Sequence, residues 1–99
     1  MYIYAIMNRF NEARYIGSTQ QIPEKRWSRH KHELRRGKHH STRLQTAWDT
    51  FGEDAFVFGV LIRVIPPMRA YAEQKEIDAW LLLHGRDALY NENLRIQAV

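Results

Sequence analysis

Apolar and aromatic side chains occupy both faces of the first segment, with Tyr2, Tyr4 and Ile6 alternating with Ile3, Ala5 and Met7. A short run that is apolar on both sides suits a strand covered on both faces, so Tyr2–Met7 is expected at the centre of a sheet. The run from Ala13 to Ser18 resembles it, and the polar, turn-prone Asn8–Glu12 between them predicts a β-hairpin. Pro23 fits the first turn of a helix, Glu24 suits its positive end, and Gly37 is a natural stop. Ser41 can cap a second helix that Gly52 ends, with Leu44, Ala47, Trp48 and Phe51 at i, i+3, i+4 and i+7 forming a core stripe. Phe56–Ile65 reads as a third, mostly buried strand, and Pro66-Pro67 breaks the chain before a last helix from about Met68 to His84, closed by Gly85. That helix has an inner side of Ala72, Ile77, Trp80, Leu81 and Leu83, and the tail carries Leu89, Tyr90 and Leu94, apolar enough to dock on the body. The order β-β-α-α-β-α predicts an α+β fold, a small three-stranded sheet flanked by helices.

Ninety-nine residues supply one core and too little for two, so residues 1–99 are expected to form one domain. Cysteine is absent, which excludes disulfides and thiolate metal sites and leaves oxygen or imidazole for any metal. No run approaches the ~20 apolar residues of a membrane span, and the start of the chain is not a signal peptide, so a cytoplasmic protein is expected. The net charge is +4, and its placement matters more than its size. Between Pro23 and His40, Lys25, Arg26, Arg29, Lys31, Arg35, Arg36 and Lys38 stand against only Glu24 and Glu33. A basic segment of this kind suits a polyanion, whose phosphates it would neutralise with release of counterions, although a solvated helix face would carry the same charges. Lys25, Arg29, Lys31, Arg35, Arg36, Lys38 and His39 are accordingly the candidate nucleic-acid contacts.

Pairing of the hairpin strands should bring Tyr4 close to Tyr15 on one face, with Gly17 on that face leaving room for close approach. Two tyrosines in a sheet are also ordinary packing. In the basic helix Arg26 and His30 are one turn apart, placing a phosphate-binding fork and a titratable imidazole together beside Trp27 and Leu34. The last helix carries Glu73 and Glu76, and periodicity does not choose which of them turns inward. A carboxylate forced onto an apolar face is costly, and a hard cation would offset that cost.

Taken in order, these residues resemble the GIY-YIG nuclease family. Tyr2-Ile3-Tyr4 stands where the family has GIY, with Tyr2 in place of the first glycine, and Tyr15-Ile16-Gly17 reproduces YIG. Pro23 to His30 resembles the helix bearing the family's arginine and histidine. Gly37-Lys38-His39-His40 followed by Leu44-Gln45 resembles the next segment of homing-endonuclease members. Ala72-Glu73-Gln74 with Ile77 resembles the glutamate helix, and Leu89-Tyr90-Asn91 the terminal asparagine motif. The resemblance implies a DNA endonuclease of phage or mobile-element type that hydrolyses phosphodiesters with one divalent ion, Mg²⁺ or Mn²⁺. It implies Tyr4, Tyr15, Arg26, His30, Glu73 and Asn91 as the site. Spacing from Ala72 and Ile77 favours Glu73 as metal ligand, whereas spacing to Asn91 favours Glu76; Glu73 is preferred. A DNA-binding module on the same fold that does not cleave is the alternative. No separate DNA-binding domain is expected in the chain, which leaves specificity to this domain, a homodimer or a partner protein.

Overall fold

A strand apolar on both faces must be covered on both, and the chain achieves this by placing its first strand in the middle. In the computed structural model, which describes residues 1–96, β1 (Tyr2–Asn8) and β2 (Arg14–Thr19) form the expected hairpin, and β3 (Phe56–Arg63) pairs with the other edge of β1. The sheet is antiparallel throughout, in the order β2-β1-β3. The turn closes through Glu12, whose φ of 63° lies in the left-handed region, while the Asn8 side chain accepts from the Phe10 N–H.

Helices cover both faces of the sheet, the first two of them clearly amphipathic. Helix α1 (Pro23–Arg35) begins on its proline and α2 (Thr42–Phe51) on Ser41, whose hydroxyl accepts from the Leu44 N–H. Helix α3 (Arg69–His84) follows a 3-10 turn at Pro66–Met68. On one side of the sheet Tyr4 and Ile6 pack with Leu34, Leu44, Trp48, Phe56 and Tyr90; on the other Ile3 and Ile16 pack with Ile77 and Leu89. The sheet is therefore a layer between α1 and α2 on one face and α3 on the other. Among the described residues, no helix is long and apolar enough to cross a membrane.

The tail protects the free edge of β2. Leu89 bridges to Arg14 in parallel, the Tyr90 N–H donates to the Arg14 carbonyl, and the Asn91 side chain continues the ladder by exchanging two hydrogen bonds with the backbone of Ile16. Covering an edge in this way removes unpaired backbone groups that would otherwise invite foreign strands.

Three expectations need correction. The third strand is not mostly buried: after Phe56 it is half-buried or exposed, and it stops at Arg63, because it forms the outer edge of the sheet. Leu83 is 73% exposed rather than on the inner side of α3, since Ile77 and Glu73 define the buried face and Leu83 falls off it. Phe51, at the end of the core stripe of α2, is also largely outside and stacks on Phe10 of the hairpin turn.

Candidate active site

The register decides how the two hairpin tyrosines stand. Tyr4 lies opposite Gly17, and Tyr15 lies opposite Ile6, so the phenols are diagonal neighbours on one face rather than direct cross-strand partners. The diagonal arrangement works because Gly17 has no side chain in the space beside Tyr4.

Helix α1 brings His30 against both rings, with centroids 5.6 Å from Tyr4 and 5.5 Å from Tyr15. The Tyr4 hydroxyl and His30 Nε2 are 2.6 Å apart in a fully buried contact. The segment between α1 and α2 adds two more imidazoles. His30 Nδ1 meets His39 Nε2 at 2.7 Å, and His40 Nε2 meets the Tyr15 hydroxyl at 3.0 Å. Tyr15 thus sits among three histidines.

His39 was expected to face DNA phosphate. It is instead buried beside His30, held there because its N–H donates to Gln45 Oε1 while Ser41 anchors the start of α2. His40 and Ser41 were not picked out as site residues from the sequence; the signal present was a histidine doublet immediately before a helix N-cap, a position with fixed geometry. The other basic candidates remain on the outside of α1 and the turn after it, apart from Lys31, which is half-buried with its Nζ over the Phe58 ring. Arg35 is committed to a two-pronged pair with Glu53, and Arg29 pairs with Glu33 at 3.6 Å.

Arg26 is half-buried, and its Nη1 is enclosed without a hydrogen-bond partner. Its charge acts on Tyr4, Tyr15, His30, His39 and His40 alike, which locates it at the same centre. Glu73 arrives from the opposite face of the sheet, on α3, and bonds Ser18 at the rim of β2. It is buried, its Oε1 accepts no hydrogen bond, and Arg69 Nη1 stands 3.7 Å away. Burial pushes the Glu73 carboxyl above its ordinary range, against the lowering effects of Ser18 and Arg69. Glu76 is only half-buried and its charge acts on Arg14 instead. The buried Asn91 amide bonds the backbone of Ile16 through both its oxygen and its nitrogen, so it positions β2.

Among the described residues, two arrangements carry ligand-type groups. One is the buried Glu73 carboxylate, whose Oε1 accepts no hydrogen bond and lies 3.7 Å from Arg69 Nη1. The other is His30, Glu33 and His39, which bring one donor atom each within 4.8 Å of one another.

Desolvation holds these histidines neutral. It lowers His30 to about 2, with Arg26 and the neighbouring imidazoles adding to the effect, and lowers His39 to about 4. An unfolded histidine binds a proton below about pH 6.5, while the folded one does not until far lower pH. Below that point the unfolded chain binds more protons, so stability present at pH 7 should decline as pH falls from 6.5 towards 2. At about 1.4 kcal/mol per pH unit, His30 alone should cost roughly 3 kcal/mol by pH 4. Thermal melts between pH 7 and pH 4 should show a falling midpoint that flattens in His30→Gln. A midpoint independent of pH over that range would contradict the buried neutral imidazole.

Comparison with known proteins identifies the family and the fold. Residues 1–79 match the family model of the GIY-YIG catalytic domain. Over 50 residues, half of this chain, the sequence is 42% identical to Intron-associated endonuclease 1 of Enterobacteria phage T4, and the match spans only 20% of that protein's length. The solved catalytic domain of homing endonuclease I-TevI superposes with a TM-score of 0.75 and 28% identity, covering 93% of this chain and 97% of that one. A point mutant of the catalytic domain of intron endonuclease I-TevI gives 0.63 and 32%, covering 82% and 79%.

Proposed function

The chain belongs to the GIY-YIG family, and on that premise we propose that it is a DNA endonuclease that hydrolyses phosphodiester bonds with the help of one divalent cation. The observation that carries this reading is the meeting of a buried phenol–imidazole pair, Tyr4 with His30, and the half-buried Arg26, whose enclosed Nη1 lacks a partner. A buried donor without an acceptor costs about 1–3 kcal/mol, and a phosphate oxygen would satisfy it with a charge-assisted bond. The relatives' printed names, an intron-associated and a homing endonuclease, support DNA as the substrate.

Glu73 fits a hard cation. Its carboxylate is buried, one oxygen accepts no hydrogen bond, and burial disfavours its ionised form beyond what Ser18 and Arg69 offset. A single carboxylate suits Mg²⁺ or Mn²⁺, which keeps most of its waters and takes further oxygens from substrate. When bound, the cation would offset negative charge developing on the phosphate and on the leaving 3′-oxygen.

The protein's own groups divide the remaining work. Arg26 grips the scissile phosphate. Tyr4 takes the proton of the attacking water as its phenolate, after its own proton has passed to solvent water, with His30 hydrogen-bonded to the phenolate oxygen. Burial holds the Tyr4 phenol well above its ordinary value, and the Arg26 charge acts in the opposite direction, so the guanidinium also eases formation of the phenolate. Tyr15 is pushed up to about 12, chiefly by burial, and stays a neutral hydroxyl that positions water or phosphate beside His40. Asn91 fixes the floor by locking β2 at Ile16. Lys25, Arg29, Arg36 and Lys38, exposed along α1 and the turn after it, hold the flanking phosphates without reading bases.

Supercoiled plasmid tests the proposal. With Mg²⁺ the protein should produce nicked or linear DNA, and chelator should stop it. Retention of DNA in a gel shift with no cleavage at any Mg²⁺ or Mn²⁺ concentration would favour a binding module on the same fold.

A further inference from the structure

We propose that Ser41, His39 and His30 form a hydrogen-bond relay with one fixed direction, in which His39 is a positioning residue and His30 is a donor to the Tyr4 oxygen. A backbone N–H can only donate. The Ser41 N–H lies 3.0 Å from His39 Nδ1, so that nitrogen must present its lone pair. A neutral imidazole carries one proton, which in His39 must then sit on Nε2. Nε2 is 2.7 Å from His30 Nδ1, so His30 accepts there and carries its own proton on Nε2. That proton points at the Tyr4 oxygen, 2.6 Å away. The Tyr4 hydrogen is thereby turned from His30 into the site.

The anchor of this relay is rigid. Ser41 caps α2, its hydroxyl donates to the Tyr90 carbonyl and accepts from Leu44, and its N–H has no freedom to turn away. His39 is fixed from the other side by Gln45, whose Nε2 donates to the Leu34 carbonyl and to Asp49. The His39 ring is nearly coplanar with His30, with centroids 4.9 Å apart as their hydrogen bond requires, and stacks on His40 at 4.3 Å.

Two consequences follow. His30 has no lone pair facing Tyr4, so it cannot remove the phenol proton, which passes to solvent water instead; the His30 N–H stabilises the negative charge left on the Tyr4 oxygen, and that phenolate is the base. The catalytic meaning of this donor role rests on the endonuclease reading, whereas the direction of the bonds does not. His39 also has no nitrogen left for a cation, because Nδ1 is taken by Ser41 and Nε2 carries the proton. The spacing of His30, Glu33 and His39 thus reflects a hydrogen-bond relay rather than a metal centre, and the hard-cation role falls to Glu73.

Side-chain ¹⁵N–¹H correlation spectra of the 99-residue protein near neutral pH, without DNA, read the tautomers directly. Both His30 and His39 should carry hydrogen on Nε2, with Nδ1 unprotonated. An Nδ1-protonated or doubly protonated form of either ring overturns the relay, whether or not the protein cleaves DNA. Plasmid kinetics supply the second reading. His39→Leu should lower kcat roughly tenfold, with KM within about twofold, as expected for loss of one hydrogen bond acting on the chemical step. His39→Gln, which keeps an N–H donor near the Nε2 position, should recover most of kcat. Equal damage in the two variants, or a loss confined to KM, would mean that His39 does not act through its donor.

Discussion

Glu73→Gln should lower Mg²⁺-dependent plasmid nicking by roughly 10³-fold or more, while DNA retention in a gel shift barely changes. Charge stabilisation by a catalytic cation is worth several kcal/mol, and each ~1.4 kcal/mol is tenfold in rate. Glutamine keeps the shape of the side chain and removes the charge that holds the ion. The same substitution should leave thermal stability no worse. Desolvation makes the ionised carboxylate unfavourable in the folded protein, the lowering effects of Ser18 and Arg69 do not cancel it, and a neutral isostere avoids that cost. Glu76→Gln is the informative companion: Glu76 is half-buried with its charge acting on Arg14, so cleavage should stay within about threefold of the parent. If Glu76→Gln were the inactive variant and Glu73→Gln the active one, the cation would belong to the other carboxylate and the fit of Glu73 would be incidental.

The sequence carried the fold through rules that act over a few residues. Alternation on both faces of Tyr2–Met7 located the central strand, and Ser41, Gly52 and Gly85 marked helix ends where they occur. What it could not carry were consequences of topology. Phe56–Ile65 looks as apolar as a central strand, and only the order β2-β1-β3 makes it an edge. The face of α3 was ambiguous for the same reason: polar and apolar residues are spread almost evenly round the helix, and the sheet surface it meets decides that Ile77 and Glu73 turn inward while Leu83 turns out.

The site divides along the same line. Arg26 and His30 are one helical turn apart, so their shared face could be read from spacing alone. His39 could not, because its basic surroundings suggest a phosphate contact, and its burial depends on Gln45 and Ser41 from the next helix. The diagonal offset of Tyr4 and Tyr15 depends on a hairpin register that the turn residues alone do not specify. Glu73 needed both faces of the sheet to be known, since it reaches the rim from the side opposite to Tyr4.

Gly17→Ala should reduce kcat by about 10²-fold in a protein that still folds. The backbone at Gly17 is not in the left-handed region, so no conformational rule demands glycine there; the demand is spatial. A methyl group would stand 2.6 Å from the Tyr4 hydroxyl oxygen, 2.7 Å from Cζ and 3.1 Å from Cε1. Tyr4 is 1% exposed, edge-on to Trp27 and bonded to His30, so the ring has nowhere to swing. Overpacking of this kind costs about 1–3 kcal/mol, and displacement of a reacting group by about 1 Å can cost 10²-fold in rate. The midpoint of thermal unfolding should therefore fall by several degrees as kcat falls. Because the tightest contact is with the hydroxyl, the stability loss from Gly17→Ala should be smaller in a Tyr4→Phe background, giving a coupling in the double-mutant cycle of about 0.5–3 kcal/mol. Full kcat in Gly17→Ala, or strict additivity with Tyr4→Phe, would mean that the phenol is not confined by the strand opposite it, and that the close approach of Gly17 plays no part in setting the site.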